Sequence, residues 1–186
     1  MTADPRRDIA PAPGSDEASA AFRIDAANEG DVGTILAMIR ELAEFEKLSH
    51  LCVSSEADIA RALFAPPVRA EVAIGREQGL PVCFALFFHN FSTFLGRPGL
   101  YLEDLFVRPA HRRKGYGRAM LVHLAALAEA RGCGRFEWSV LDWNESAIGF
   151  YQSLGAMVLP DWRITRVTGE ALTRLAHGLP SGDPAS

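Results

Sequence analysis

The sequence predicts an α/β (α+β) fold, a mixed sheet of six or seven strands flanked by helices, and three observations carry that expectation. Strand-like and helix-like segments alternate along the chain, as they do in layered folds of this class. The early strands are joined by turns containing Gly or Pro, the mark of antiparallel connections. Near the middle, a strand, a long helix and another strand follow one another, so those two strands should lie parallel. The 186 residues are 48% hydrophobic and 23% charged, enough to bury one core, and one domain is expected over residues 21–176. Residues 1–20 and 177–186 are rich in Ala, Pro, Asp and Ser and read as a disordered N-terminal and a flexible C-terminal tail.

Taken in order, Phe22 to Ala26 alternates apolar and polar side chains as a first strand, and Asn28 with Asp31 supplies a cap for the helix after it. That helix carries Ile35, Met38, Ile39, Leu42 and Phe45 in one apolar stripe. A second helix starts at Ser54 or Ser55 and stops at Phe64, ahead of Pro66 and Pro67. Three strands are then predicted over Ala70 to Ile74, Val82 to Phe88 and Leu100 to Val107. His89 to Phe94 reads as an aromatic loop, packed over the sheet or closing on a substrate. Gly115 to Arg131 forms the long helix, with Met120, Leu121, Leu124, Leu127 and Ala128 on one face and Gly132 ending it. Arg135 to Leu141 is the parallel strand. Asn144 caps a short helix from Glu145 to Leu154, stopped by Gly155. Trp162 to Val167 is expected as a last strand, and Glu170 to Ala176 adds a final helical turn or two.

A net charge of -4 argues against a polyanion-binding surface and for a cationic ligand, so neither nucleic acid nor membrane is an expected partner. Cys52, Cys83 and Cys133 are odd in number and widely spaced, which fits neither a disulfide framework nor a metal cage. No signal peptide or membrane-spanning run is visible, so a soluble, cytoplasmic, metal-free protein is expected.

Chemistry enters at Arg112-Arg113-Lys114-Gly115-Tyr116-Gly117, between a strand and a helix. Backbone NH groups at a helix start point outward, the glycines allow close approach, and Arg118 adds to the positive charge there. The segment lacks the spacing of a nucleotide-hydrolysing P-loop and of a dinucleotide fold. Read alone, it is an anion site or a solvated basic turn.

With its neighbours it becomes more specific. Arg-x-x-Gly-x-Gly after Leu105-Phe106-Val107 resembles the acetyl-CoA loop of the Gcn5-related N-acetyltransferase superfamily, and the similarity runs from about Phe22 to Ala176. Ile39 to Leu48, Tyr101-Leu102-Glu103-Asp104, Val140 to Asn144 and Phe150-Tyr151 resemble the diamine acetyltransferases of spermidine/spermine type and their thialysine-acetylating relatives. The resemblance implies acetyl-CoA as cosubstrate, with Leu105, Phe106 and Val107 along the pantetheine arm. Arg112, Arg113, Lys114, Gly115, Tyr116, Gly117 and Arg118 would hold the pyrophosphate, and Asn144, Glu145, Ser146 and Ala147 would lie against the cofactor. Many relatives have glycine where this chain has Arg113, and proline where it has Ser146. A homodimer is also implied.

Acetyl transfer requires a neutral amine, whereas an alkylammonium loses its proton near pH ~10.4 in water, so a carboxylate or water must accept a proton. Glu46 and Glu103 are the substrate carboxylates that the resemblance selects, with Asp104 left as a structural one. Read alone, Glu46 is an exposed helix-end charge and Glu103 a buried hydrogen-bonded partner. Strand alternation sends Glu103 and Asp104 to opposite faces unless a bulge intervenes. Tyr151 sits where the family's general acid falls and would reprotonate the departing thiolate; alone, Phe150 and Tyr151 are a packing pair. Phe45, Glu137, Trp138 and Ser139 are further substrate contacts by resemblance, while Trp138 and Trp143 also fit the core. His111 reads as a polar turn residue. The expected reaction is acetylation of a primary amine on a small cationic metabolite, a diamine, a polyamine or a thialysine- or lysine-like amine. Its rivals are acetylation of a protein or peptide and a non-catalytic acyl-CoA sensor.

Overall fold

Five strands form one mixed sheet in which every strand lies beside its neighbour in sequence. The computed structural model describes residues 22–178; the expected N-terminal tail, and the C-terminal one from Leu179 onward, lie outside them. Strands β1 (Phe22–Ala26), β2 (Glu71–Glu77), β3 (Leu80–Ser92) and β4 (Arg97–Val107) pair antiparallel, and β5 (Arg135–Trp138) pairs parallel to β4. Helices α1 (Val32–Phe45) and α2 (Glu56–Phe64) precede β2, and α3 (Tyr116–Ala130) makes the crossover from β4 to β5. The chain divides into two compact units, one ending at Ser139 and the other beginning at Val140.

In the first unit the predicted capping residues close a box. The Asn28 side chain accepts from the Gly30 NH at 2.9 Å and the Asp31 carboxylate accepts from the Asn28 NH at 3.0 Å, shaping a single 3-10 turn that leads into α1. Ser55 caps α2 in the same way with Asp58. The apolar stripe of α1, Ile35, Met38 and Leu42, packs with Leu63 onto Val72, Ile74, Phe84 and Phe106. Burying side chains of this size contributes about 1.5–3 kcal/mol each, which fixes α1 against β3 and β4. By strand alternation Phe87, Leu100 and Leu102 lie on the opposite sheet face, and α3 buries Met120, Leu121, Leu124 and Ala128. The aromatic stretch expected as a loop is instead β-structure: β3 continues to Ser92 and turns back into β4 at residues 93–96.

The second unit contains α4 (Glu145–Ser153) and α5 (Gly169–Ala176). Asn144 caps α4, accepting from the Ala147 NH at 3.2 Å, and Gly155 follows it with φ of 90°, both as the sequence predicts. The strand expected at Trp162 to Val167 does not form, and the described residues hold five strands rather than six or seven. A strand needs a backbone partner, and this segment has no strand partner among the described residues. Arg135 to Leu141 is likewise shortened, ending at Trp138 where pairing with Leu102 ends. Trp143, one of the two tryptophans that fit a core position, is 55% exposed.

Candidate active site

Two features of the first unit lie along β4: a basic turn at its end and an acidic cluster midway. After Val107 the chain makes a 3-10 turn over Pro109–His111 and enters α3 at Tyr116. The first hydrogen bond into the helix is from the Ala119 NH to the Gly115 carbonyl at 3.0 Å, so the amides of Tyr116, Gly117 and Arg118 are first-turn donors without intrahelical acceptors. Gly115 caps the helix in the left-handed region with φ of 85°, and Arg113 is left-handed too, at 65°. A left-handed turn is required there, and an L side chain adopts it at a cost of about 1 kcal/mol.

The basic side chains of this turn do not act alike. Arg112 donates its Nε to the Val107 carbonyl at 3.0 Å, and its guanidinium lies 4.6 Å from the Phe45 ring centroid and 5.8 Å from that of Phe106. Lys114 instead turns to β2, where Glu77 accepts from its Nζ at 2.8 Å and 3.1 Å. The same carboxylate accepts from the Tyr116 hydroxyl and pairs with His111 Nδ1, each at 2.6 Å. These contacts, Lys114 first, hold Glu77 down to about 2, so it is ionised throughout the physiological range. Glu77 was not among the candidate residues, because a glutamate ending a strand before Gln78-Gly79 carries no local signal. Arg108, just before the turn, is a structural anchor: its guanidinium clasps both carboxylate oxygens of Glu41 on α1 and donates to the Pro81 carbonyl at 2.9 Å.

The acidic cluster exists because β4 is bulged. Leu86 pairs with Asp104 and Phe87 with Leu102, leaving Glu103 as the extra residue. The bulge cancels the alternation that would have kept Glu103 and Asp104 on opposite faces with one carboxylate in the site. Asp104 is partly buried and feels two other carboxylates. Burial first, then Glu103, then Glu46, push it up to about 6. Glu46 caps the C-terminal end of α1 and is itself raised by burial, so it is not a fully solvated helix-end charge. Glu103 is exposed, not the buried partner it resembles when read alone. The end of α1 adds the partial negative charge of its terminal carbonyls. Such a site attracts ammonium groups and holds one carboxyl whose basicity exceeds that of an ordinary carboxylate.

Of the remaining candidates in this unit, Phe45 is 41% exposed beside Arg112, and Phe106 is buried at 3% exposure, so only its backbone is available along a pantetheine arm. Leu105 and Val107 are partly buried on the same strand, Val107 contributing the carbonyl that holds Arg112. On β5, Glu137 accepts from Asn90 Nδ2 at 2.7 Å and pairs with Arg135 at 3.2 Å, which commits it to a local network. Trp138 packs its ring 4.9 Å from Phe136, and Ser139 shares a hydrogen bond with the Tyr101 hydroxyl at 2.9 Å. In the second unit Asn144, Glu145, Ser146 and Ala147 form the first turn of α4, and Tyr151 lies two turns in, its ring tilted against Phe150 at 5.5 Å. Among the described residues no group of His, Cys, Asp and Glu side chains is placed to hold a metal ion, and no helix is long and apolar enough to cross a membrane.

Residues 35–156 match the acetyltransferase (GNAT) family. The chain is 42% identical over 168 residues to thialysine N-epsilon-acetyltransferase of Mus musculus, covering 84% of this chain and 98% of that one. It is 35% identical over 195 residues to L-ornithine N5-acetyltransferase of Arabidopsis thaliana, covering 81% and 86%. Among solved structures, an integron cassette protein from the mobile metagenome of V. cholerae superposes with a TM-score of 0.72 at 26% identity, covering 84% of this chain and 98% of the other.

Proposed function

The chain belongs to the GNAT acetyltransferase family and is an acetyl-transfer enzyme acting on amines, and from that premise we propose that it transfers the acetyl group of acetyl-CoA to a primary amine of a small, cationic metabolite. The observation that carries this reading is the convergence of Glu46, Glu103 and Asp104 at the β4 bulge, on the strand that leads into the basic turn. In this reading the first-turn amides of α3 and the side chains of Arg113 and Arg118 take the pyrophosphate, and Arg112 shapes the turn from beneath. Asn144 to Ala147 lie against the cofactor. The carboxylates bind the ammonium groups of a diamine, a polyamine or a thialysine- or lysine-like substrate, and Tyr151 serves the departing thiolate. Family resemblance supports a homodimer, and the unpaired cysteines Cys52, Cys83 and Cys133 support a reducing, cytoplasmic setting.

Asp104 is the carboxyl best matched to taking the amine's proton. Moving a proton from an alkylammonium to an ordinary carboxylate is uphill by about 6 pH units, roughly 8 kcal/mol. With Asp104 pushed up to about 6, the same transfer is uphill by about 4 units, roughly 6 kcal/mol. Both fit under the barrier of about 16 kcal/mol for a turnover of about 10 per second, and the second leaves more of it for bond making.

Release of free CoA, followed with a panel of diamines, polyamines, lysine-like amino acids, simple monoamines and peptides, tests the reading. Turnover with the cationic small amines, well above that with neutral monoamines or peptides, is expected. Preferential turnover of peptides would move the acceptor to a protein, and tight acetyl-CoA binding with no release for any amine would make the chain a sensor. A second expectation concerns pH. Below about pH 6, where Asp104 takes up a proton, log kcat/KM should rise with a slope near one as that carboxyl ionises. Above that pH the profile should level off until the amine itself loses its proton, because the substrate binds as an ammonium and ionised Asp104 receives its proton. Asp104→Asn should abolish this break, and a wild-type profile without one would exclude Asp104 as the acceptor.

A further inference from the structure

A loop that binds phosphate through its backbone must be held in shape before the ligand arrives, because ordering it on binding would subtract from the affinity. The turn from Arg108 to Gly117 has two residues in the left-handed region, Arg113 at 65° and Gly115 at 85°. For Arg113 this conformation is unfavourable in isolation and persists only where the surroundings impose it. Its internal backbone bonds are few: His111 NH to Arg108 O at 2.8 Å and Arg112 NH to Pro109 O at 3.2 Å.

One side chain from another strand reaches residues along the whole turn. Glu77 ends β2, which is separated from β4 by β3, and its carboxylate gathers His111, Lys114 and Tyr116, residues spread across the whole turn. Tyr116 is fixed a second time, its ring stacked on Phe22 of β1 at 4.0 Å between centroids and 3° between planes. The Glu77 side chain is 20% exposed and belongs to no part of the buried core. Its contacts are charge-assisted and reach the turn only.

We propose that Glu77 is the positioning residue of the cofactor loop: by binding His111, Lys114 and Tyr116 together it holds the turn in the shape that presents the α3 amides to pyrophosphate. This rests on the reading of that turn as the acetyl-CoA site. Lys114 accordingly acts through Glu77 and not as a direct phosphate ligand, unlike the role the resemblance gives it. Glu77 touches neither substrate nor reacting atoms, so its removal weakens cofactor binding without changing the chemical step.

The test is Glu77→Ala in the full chain, with Glu77→Gln as the variant that keeps size and one acceptor oxygen. For Glu77→Ala, KM and the calorimetric Kd for acetyl-CoA should rise at least about ten-fold, with kcat and the amine KM within about two-fold of wild type. Glu77→Gln should fall between the two. Amide exchange should accelerate in residues 109–118 and not in the sheet. A folded Glu77→Ala or Glu77→Gln protein with wild-type affinity for acetyl-CoA would overturn the role of Glu77 alone. If kcat and both KM values shift together, or if exchange accelerates across β2 and β3, Glu77 supports the fold and not the loop. Wild-type protein that fails to bind acetyl-CoA would remove the assignment of the loop itself, and this role with it.

Discussion

Tyr151→Phe is expected to lower kcat at least ~10-fold with KM for acetyl-CoA and amine within a factor of ~2 of wild type. The substitution deletes one hydroxyl and keeps the ring, so the tilted contact with Phe150 survives. What is lost is a proton source. Breakdown of the tetrahedral intermediate expels CoA as a thiolate; the conjugate thiol ionises near ~8.5 and a phenol near ~10, so transfer from Tyr151 is nearly balanced and its loss falls on the transition state. A factor of ten corresponds to ~1.4 kcal/mol, a modest share of what general acid catalysis supplies. A correctly folded Tyr151→Phe enzyme with unchanged kcat would remove Tyr151 from the mechanism and leave the thiolate to depart unaided.

Where the sequence was legible, a local pattern also described the long-range partner. The α1 stripe of Ile35, Met38 and Leu42 says which face is buried, and one sheet face was available to bury it. Caps at Asn28, Ser55 and Asn144 are short-range hydrogen bonds, readable because donor and acceptor lie within three residues. The strand at Trp162 to Val167 failed for the opposite reason: apolar side chains in a short segment do not supply a backbone partner. The β4 bulge was equally out of reach, since an extra residue is defined only against β3, and with it went the grouping of Asp104 with Glu46 and Glu103. Glu77 shows the same limit at a functional position, as its three partners lie more than thirty residues away. The turn itself could be read from its basic residues and glycines between a strand and a helix, whereas the left-handed backbone at Arg113 appears only in the structure.

The acidic cluster gives the other effect. Glu103→Gln should lower kcat/KM for a diamine ~2- to 5-fold, since Glu103 is exposed and an ion pair at such a carboxylate is worth ~0.2–1 kcal/mol. A monoamine, with one ammonium to place, should lose less, and the ratio between the two substrates measures how much of the site is built for a second charge. Lost packing would also lower the rate, so the deciding measurement is the pH profile. Burial first, and then the negative charges of Glu103 and Glu46, raise Asp104 to about 6. Removing the charge of Glu103 makes ionisation of Asp104 easier, and the break in log kcat/KM must move to lower pH. Glu46→Gln should move it the same way by a smaller amount, as Glu46 is the weaker of the two influences. A simple loss of structure has no reason to move the break in that direction. A Glu103→Gln enzyme that keeps the wild-type break and the wild-type preference for diamines would show that the carboxylates do not act as a coupled set, and the amine would then have to be bound elsewhere.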